Sequence, residues 1–279
     1  MSASRLAALV LLASAGLARG ETVATLASPD GALTVSVTLD ADGRPGYAIS
    51  RSGAAVIADS RLGFILANAP KLERDFFLEG TDRRSADLTW EQPWGERRFV
   101  RDRHNELRVR LVEKRAGGRR LDLVFRAFDD GVGFRYEFPA QAALADVGIV
   151  DELTEFDVAE PATAWWIPGG EWNRYEYLYR MTPLAELSQA HTPLTIRTAS
   201  GLHVAFHEAA LVDYAALWLR RVHGQRLKAT LSPAAEGPRV ARRAPFATPW
   251  RTILIVPDAK GLYESDLVLN LNEPNALGD

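Results

Sequence analysis

The sequence contains no cysteine, which excludes disulfides, thiolate metal sites, iron–sulfur clusters and a cysteine nucleophile. It also lacks an excess of either charge. Lys and Arg number 33 against 36 Asp and Glu, leaving −3 mixed along the chain, so nothing electrostatic favours nucleic acid or an anionic membrane. No G-x-S-x-G elbow, P-loop or strand-borne G-x-G-x-x-G occurs, and with these go the α/β-hydrolase and nucleotide-binding readings. Histidine is scarce, five in 279 residues. His203 and His207 precede Glu208, but the local pattern is a strand, where four residues span about 13 Å, too far for two ligands of one zinc ion.

What is present has the proportions of a folded protein, 47% apolar and 25% charged, in a length that suits one large domain or two ordinary ones. Residues 1–20 read as a secretory signal peptide: a basic start ending at Arg5, an uncharged apolar run from Leu6 to Leu17, then Ala18 and Gly20 at the cleavage positions before Glu21. The run is too short to span a membrane, so no membrane attachment is expected after cleavage. Its removal leaves 259 residues, takes away Arg5 and Arg19, and moves the net charge from −3 to −5. Export without disulfides points to a bacterial periplasm or a secreted protein.

The rest reads as strand after strand. In Leu33-Thr-Val-Ser-Val-Thr-Leu39 apolar and hydroxyl residues alternate, the period-two mark of a strand with one wet face. Leu107 to Leu111, Phe134 to Phe138, Leu202 to Phe206, Leu227 to Leu231 and Leu267 to Leu271 repeat the pattern, while Leu121 to Phe128 suggests burial on both faces. Turn signals such as Asp30-Gly31, Asp42-Gly43 and Gly117-Gly118 separate the runs. One short helix is predicted over Thr182 to Ala190, with Thr182 as N-cap and Pro183 in the first turn. No linker interrupts the chain. The expected fold is all-β, a large antiparallel β-sandwich with very little helix.

Aromatic residues mark one candidate site. Trp165, Trp166 and Trp172 run into a stretch holding Glu171, Tyr175, Glu176, Tyr177 and Tyr179, rich in glycine and polar groups and without strand alternation. Flat rings can stack on sugar C–H groups, and loops of this composition on a rigid sheet are where binding sites sit. The competing reading is that the rings fill a core or an interdomain seam. Carboxylates are plentiful (Glu91, Glu96, Glu106, Glu171, Glu176, Glu208 and Asp213), but sequence spacing pairs no two of them for glycoside hydrolysis.

Several phrases in order carry a family resemblance. They are Ser28-Pro-Asp-Gly31, Trp94-Gly-Glu96, His104-Asn-Glu-Leu107, Phe128 to Pro139, Trp166-Ile-Pro-Gly169, His207 to Tyr214, Thr248-Pro-Trp-Arg-Thr252 and Leu269 to Pro274. Together they resemble the N-terminal domain of glycoside hydrolase family 97, bacterial α-glucosidases and α-galactosidases. The resemblance implies a β-super-sandwich over residues 21–274, with residues 275–279 starting a linker to a catalytic (β/α)₈ barrel in cis or in a split partner. The catalytic carboxylates would lie in that barrel, so no catalytic residue is expected here and the chain alone should be inactive. The resemblance also implies that Glu176, in Glu176-Tyr-Leu-Tyr179, supplies one ligand to a calcium ion shared with the barrel, with Glu171 as the rival position. Trp165, Trp166, Trp172, Tyr175 and Tyr177 then become carbohydrate-binding or domain-interface residues. Met181 to Thr192 is too short to promise a further sugar contact. A free-standing secreted carbohydrate-binding module is the alternative.

Overall fold

The computed structural model describes residues 20–115 and 117–274. The expected signal peptide, apart from Gly20, and the expected linker lie outside the described residues.

Strands β1 (Glu21–Ala27), β2 (Leu33–Leu39), β3 (Pro45–Arg51) and β4 (Ala54–Arg61) form an antiparallel meander. After the short β5 (Phe64–Leu66), a second meander follows in β6 (Phe76–Glu91), β7 (Phe99–Glu113), β8 (Arg120–Phe128) and β9 (Gly131–Phe138). β10 (Asp146–Glu152) returns to pair with β5, and β11 (Glu155–Val158) extends the first meander beside β4. The remainder comprises β12 (Ala162–Trp166), β13 (Arg180–Pro183), β14 (Gln189–His191), β15 (Leu194–Thr198) and β16 (His203–Ala209). Then come β17 (Leu217–His223), β18 (Arg226–Leu231), β19 (Val240–Arg243), β20 (Phe246–Ala247) and β21 (Trp250–Val256). Two short helices, α1 (Ala259–Glu264) and α2 (Leu267–Leu271), close the described chain.

These strands make an eight-stranded sheet in the order β1-β2-β3-β4-β11-β18-β17-β14 and a ten-stranded sheet in the order β13-β12-β15-β16-β21-β9-β8-β7-β6, with β20 beside β9. A three-stranded sheet, β19-β10-β5, lies alongside. The two large sheets face each other, and rings bridge the gap: Tyr47 packs on Phe134 at 4.9 Å and Phe156 on Phe206 at 5.4 Å. The alternation read from sequence does this, because in β2 Leu33, Val35 and Val37 are all fully buried while Thr34 and Ser36 are half-buried. β8 is buried on both faces, as its pattern suggested. The all-β sandwich expectation therefore holds.

Burial of β8 on its second face has a cause at the end of the chain. Val124 joins Ala205, Ala209, Trp250 and Leu254 on the outside of the ten-stranded sheet, beneath Leu267 and Leu271 of α2. Gly131 and Gly133 make room for these leucines. A Cβ on Gly133 would fall 2.4 Å from Leu271 and one on Gly131 2.8 Å from Leu267.

Two local expectations are corrected. Leu267 to Leu271 is helix rather than strand: Asn270 N–H donates to Asp266 C=O at 3.0 Å, burying Leu267 and Leu271 and exposing Leu269. A strand would have put all three leucines on one face. The predicted helix over Thr182 to Ala190 is instead a strand end, one 3-10 turn (Leu184–Glu186) and a second strand. Thr182 does not cap it; its hydroxyl accepts from Trp166 Nε1 at 3.1 Å while Leu184, Leu187 and Ala190 are fully buried.

Candidate functional site: the loop between β12 and β13

β12 runs into the aromatic stretch and β13 returns from it, paired residue for residue from Trp166 opposite Arg180 to Thr163 opposite Pro183. Because neighbours on a strand point to opposite faces, the adjacent tryptophans separate. Trp166 turns into the core, 2% exposed, with Arg180 over its ring at 5.2 Å. It is therefore a packing residue with no surface for a ligand. Trp165 lies on the outer face, half-buried, opposite the exposed Met181.

Between these strands the loop stands out from the sandwich. Trp172 is 75% exposed, Leu178 89% and Tyr179 70%. Soluble proteins seldom leave apolar side chains clustered in this way unless something covers them. Its base is tied by Gly169 N–H to Gln189 C=O at 2.9 Å. Inside it, Arg174 lies over the Tyr177 ring at 4.6 Å, and the Glu171 carboxylate accepts from the Tyr177 hydroxyl, which raises that phenol above its ordinary range. Tyr175 folds back: its ring meets His191 at 4.4 Å and its hydroxyl donates to Thr192 C=O at 3.0 Å.

Glu176 differs from the other carboxylates singled out in the sequence. Glu91 pairs with Arg98 at 2.7 Å, Glu106 with Arg126 at 2.9 Å, Glu208 with Arg251 at 2.7 Å and Asp213 with Arg242 at 2.8 Å. Glu96 accepts from Tyr263 at 3.1 Å, and Glu171 is held by Tyr177. Glu176 is exposed and makes no ion pair among the described residues; its Oε2 accepts only a long bond from Tyr175 N–H at 3.3 Å. Backbone N–H groups, with the field of Arg174 behind them, hold its carboxyl below the usual range, so it is charged at neutral pH. Among the described residues no three His, Asp or Glu side chains gather as a metal cluster. One carboxylate falls far short of the six to eight oxygens calcium takes. A metal ion at Glu176 would need most of its ligands from elsewhere.

Sequence reasoning missed a second constellation, deep between the sheets. Arg251 is fully buried and forks onto Glu152, donating from Nε to Oε1 at 3.0 Å and from Nη2 to Oε2 at 2.5 Å, while Nη1 donates to Glu208 at 2.7 Å. Glu208 also accepts from Leu217 N–H at 2.8 Å, and Glu152 from the Thr154 hydroxyl at 2.7 Å. Every carboxylate oxygen has a donor, the group is buried, and the Arg251 guanidinium lies over the Tyr214 ring at 5.8 Å. It is a structural tie between sheets.

Residues 26–274 match the family described as Glycosyl-hydrolase 97 N-terminal. A retaining alpha-galactosidase of Bacteroides thetaiotaomicron is 24% identical, the match covering 91% of this chain and 42% of the relative. A glycoside hydrolase family 97 enzyme from Pseudoalteromonas sp. strain K8, solved in complex with panose, superposes with a TM-score of 0.88 at 44% identity over 92% of this chain and 39% of that one. A beta-arabinopyranosidase structure superposes at 0.81 with 26% identity, covering 92% of this chain and 44% of its own. The chain thus spans about two fifths of the length of these relatives.

Proposed function

The chain belongs to the glycosyl-hydrolase 97 N-terminal family, and from that premise we propose that it is the non-catalytic sandwich of a secreted family 97 glycosidase. In this reading the loop between β12 and β13 is the seam to the catalytic barrel, and Glu176 is the ligand that this domain lends to a shared calcium ion. The substrates are α-glucosides or α-galactosides. The observation that carries the reading is the state of Glu176: charged, exposed and making no ion pair among the described residues, on a loop that also exposes Trp172, Leu178 and Tyr179.

The direction of the chain supports the same seam. Strands alternate across the ten-stranded sheet, so the end of β12, the end of β16 and the start of β21 share one edge of the sandwich. The exit from α2 reaches towards that edge, with the Asn272 side chain accepting from Ala210 N–H at 2.8 Å and Glu273 lying 3.9 Å from Arg135. A barrel continuing from Pro274 is then well placed to cover Leu178, Tyr179 and the exposed Val212. Calcium at the seam supplies a fixed positive charge beside the reacting sugar. This chain's part is to hold one carboxylate and an apolar wall there, and to exclude water.

Calorimetry on a complete enzyme carrying this domain is the test. Glu176→Gln should weaken calcium by at least about tenfold, with activity falling in parallel, while the sandwich stays folded. Unchanged calcium affinity would remove Glu176 from the site. Purified alone, the chain should hydrolyse neither aryl α-glucosides nor aryl α-galactosides. The second reading, a free-standing carbohydrate-binding module, draws on the exposed Trp172 and Tyr179 rings. Retention of the isolated chain on immobilised α-glucan, lost in Trp172→Ala, would favour it.

A further inference from the structure

The turn between β16 and β17 is both strained and clamped. Four non-glycine residues among those described have left-handed backbone, and two of them flank this turn, Ala210 at φ 54° and Asp213 at φ 50°. A β-carbon makes that conformation costly, and it persists only where the surroundings over-determine it. Here they do. Ala210 N–H donates to the Asn272 side chain at 2.8 Å, and Val212 N–H donates to Ala210 C=O at 2.9 Å. From the other flank Arg242 of β19 pairs with the Asp213 carboxylate at 2.8 Å and donates to its C=O at 2.7 Å. The two feet of the turn stand in separate cores, Ala210 against the cluster under α2 and Tyr214 against the main one.

What the clamp presents is apolar. Leu211 is 45% exposed and Val212 73%. Neither adds much to the burial of the sandwich, and a polar turn would join the same two strands. The tip is also linked to the loop between β12 and β13 through Thr192. Its C=O accepts from the Tyr175 hydroxyl, and its own hydroxyl donates to Leu217 C=O at 3.3 Å, where the turn re-enters the sheet. Two exposed apolar tips thus stand on one edge of the sandwich, and such surface ordinarily marks an interface. The occupant follows from Asn272. The residue that caps α2 also holds the turn, and the family match, to a domain described as N-terminal, ends at residue 274. In the relatives that domain is under half of the length, so the part that follows it starts beside this turn.

We propose that the Leu211–Val212 tip is a preformed docking knob for an apolar hollow on the domain that follows α2. The inference rests on the reading of this chain as the sandwich of a longer glycosidase, and it involves no metal. Clamping matters because a loop ordered only on contact gives up its entropy at that moment, whereas one already fixed does not. The hollow is apolar because neither side chain of the tip carries a polar atom.

Thiol labelling tests it, because this chain has no cysteine of its own. Val212→Cys is compared in the isolated chain and in the complete enzyme, with mass spectrometry locating the label. Val222→Cys, 48% exposed at the far end of β17, is the control. In the complete enzyme position 212 should label at least about tenfold more slowly than in the isolated chain, while position 222 labels alike in both. Val212→Asp gives a second readout. It should leave the unfolding midpoint of the isolated chain as in the parent and lower that of the sandwich within the complete enzyme, where docking adds to stability. Equal labelling of Val212→Cys in both contexts, with Leu178→Cys protected in the complete enzyme, would overturn the knob and leave the seam at the other loop standing. If neither position is protected, the seam reading falls, and the proposal with it. A lowered midpoint for Val212→Asp in the isolated chain would show that the tip serves the sandwich's own fold, which also overturns the proposal.

Discussion

The network around Arg251 and the loop around Glu176 use the same ingredients, arginine, glutamate and tyrosine, to opposite ends. In the core one guanidinium meets two carboxylates, each oxygen has a donor, and the group is buried. On the loop Arg174 lies over a ring rather than on an acid, and Glu176 makes no ion pair among the described residues. Charge that is fully matched inside a protein describes how that protein is held together. Charge left unmatched on an exposed loop contributes little to that hold.

Substitutions that swap these fates probe the contrast. The largest effect is expected at Arg251. Arg251→Ala would strand Glu152 and Glu208 as buried, uncompensated carboxylates, and loss of one partner from such a group costs about 3–5 kcal/mol. Urea unfolding of the chain measures it, and a loss below about 1 kcal/mol would mean that water enters the gap and the network is no tie.

A smaller effect follows from two histidines, His191 buried and His207 half-buried, one on each side of the comparison. Burial lowers both His191, beneath the loop, and His207, on β16, with the Arg174 backbone and Glu208 respectively opposing the shift only in part. His191 Nε2 and His207 Nδ1 are buried without a partner, so a proton on either ring has nowhere to bond. Since the unfolded chain binds these protons more readily, stability is fully present above the unfolded value of about 6.5 and is lost as pH falls through it and then through the folded value. Thermal unfolding between about pH 7.5 and about pH 5 should show this decline. His207→Gln should flatten it, and an unaltered slope would point to other groups. The smallest effect is expected at Glu176, where Glu176→Gln should leave the unfolding midpoint of the isolated chain unchanged, as for a surface residue outside any network. A lowered midpoint would mean that the exposed carboxylate supports the fold.

The sheets were largely legible because period-two alternation reports directly which side of a strand is wet. Leu267 to Leu271 was not, since leucines at alternate positions over five residues satisfy a strand and a single helical turn equally. What decided it was Gly131 and Gly133, more than 130 positions earlier, leaving a hollow for α2. Thr182-Pro183 had every local mark of a helix start, and lost to a register in which Pro183 faces Thr163 and the Thr182 hydroxyl serves Trp166. The aromatic loop was legible as a loop. Which tryptophan faces outward was not, nor was the seat of Tyr175 on His191, because both depend on pairings with later strands. Arg251 with Glu152 and Glu208 joins positions 99 and 43 residues apart, beyond the reach of any local pattern.

The place of β21 in the ten-stranded sheet has a consequence for how the chain acquires its shape. β21 is the last strand among the described residues, yet it lies in the middle of its sheet, between β16 and β9. In the finished sheet β21 is the strand that joins two halves, β6 to β9 on one side and β12, β13, β15 and β16 on the other. Only with β21 in place do the halves become one surface, Arg251 reaches Glu152 and Glu208, and α2 finds its hollow. During synthesis from the N-terminus the strands of both halves are made before β21, their unpaired edges open to wrong partners. Such long-range closure makes slow, late and concerted folding the expected route for this domain.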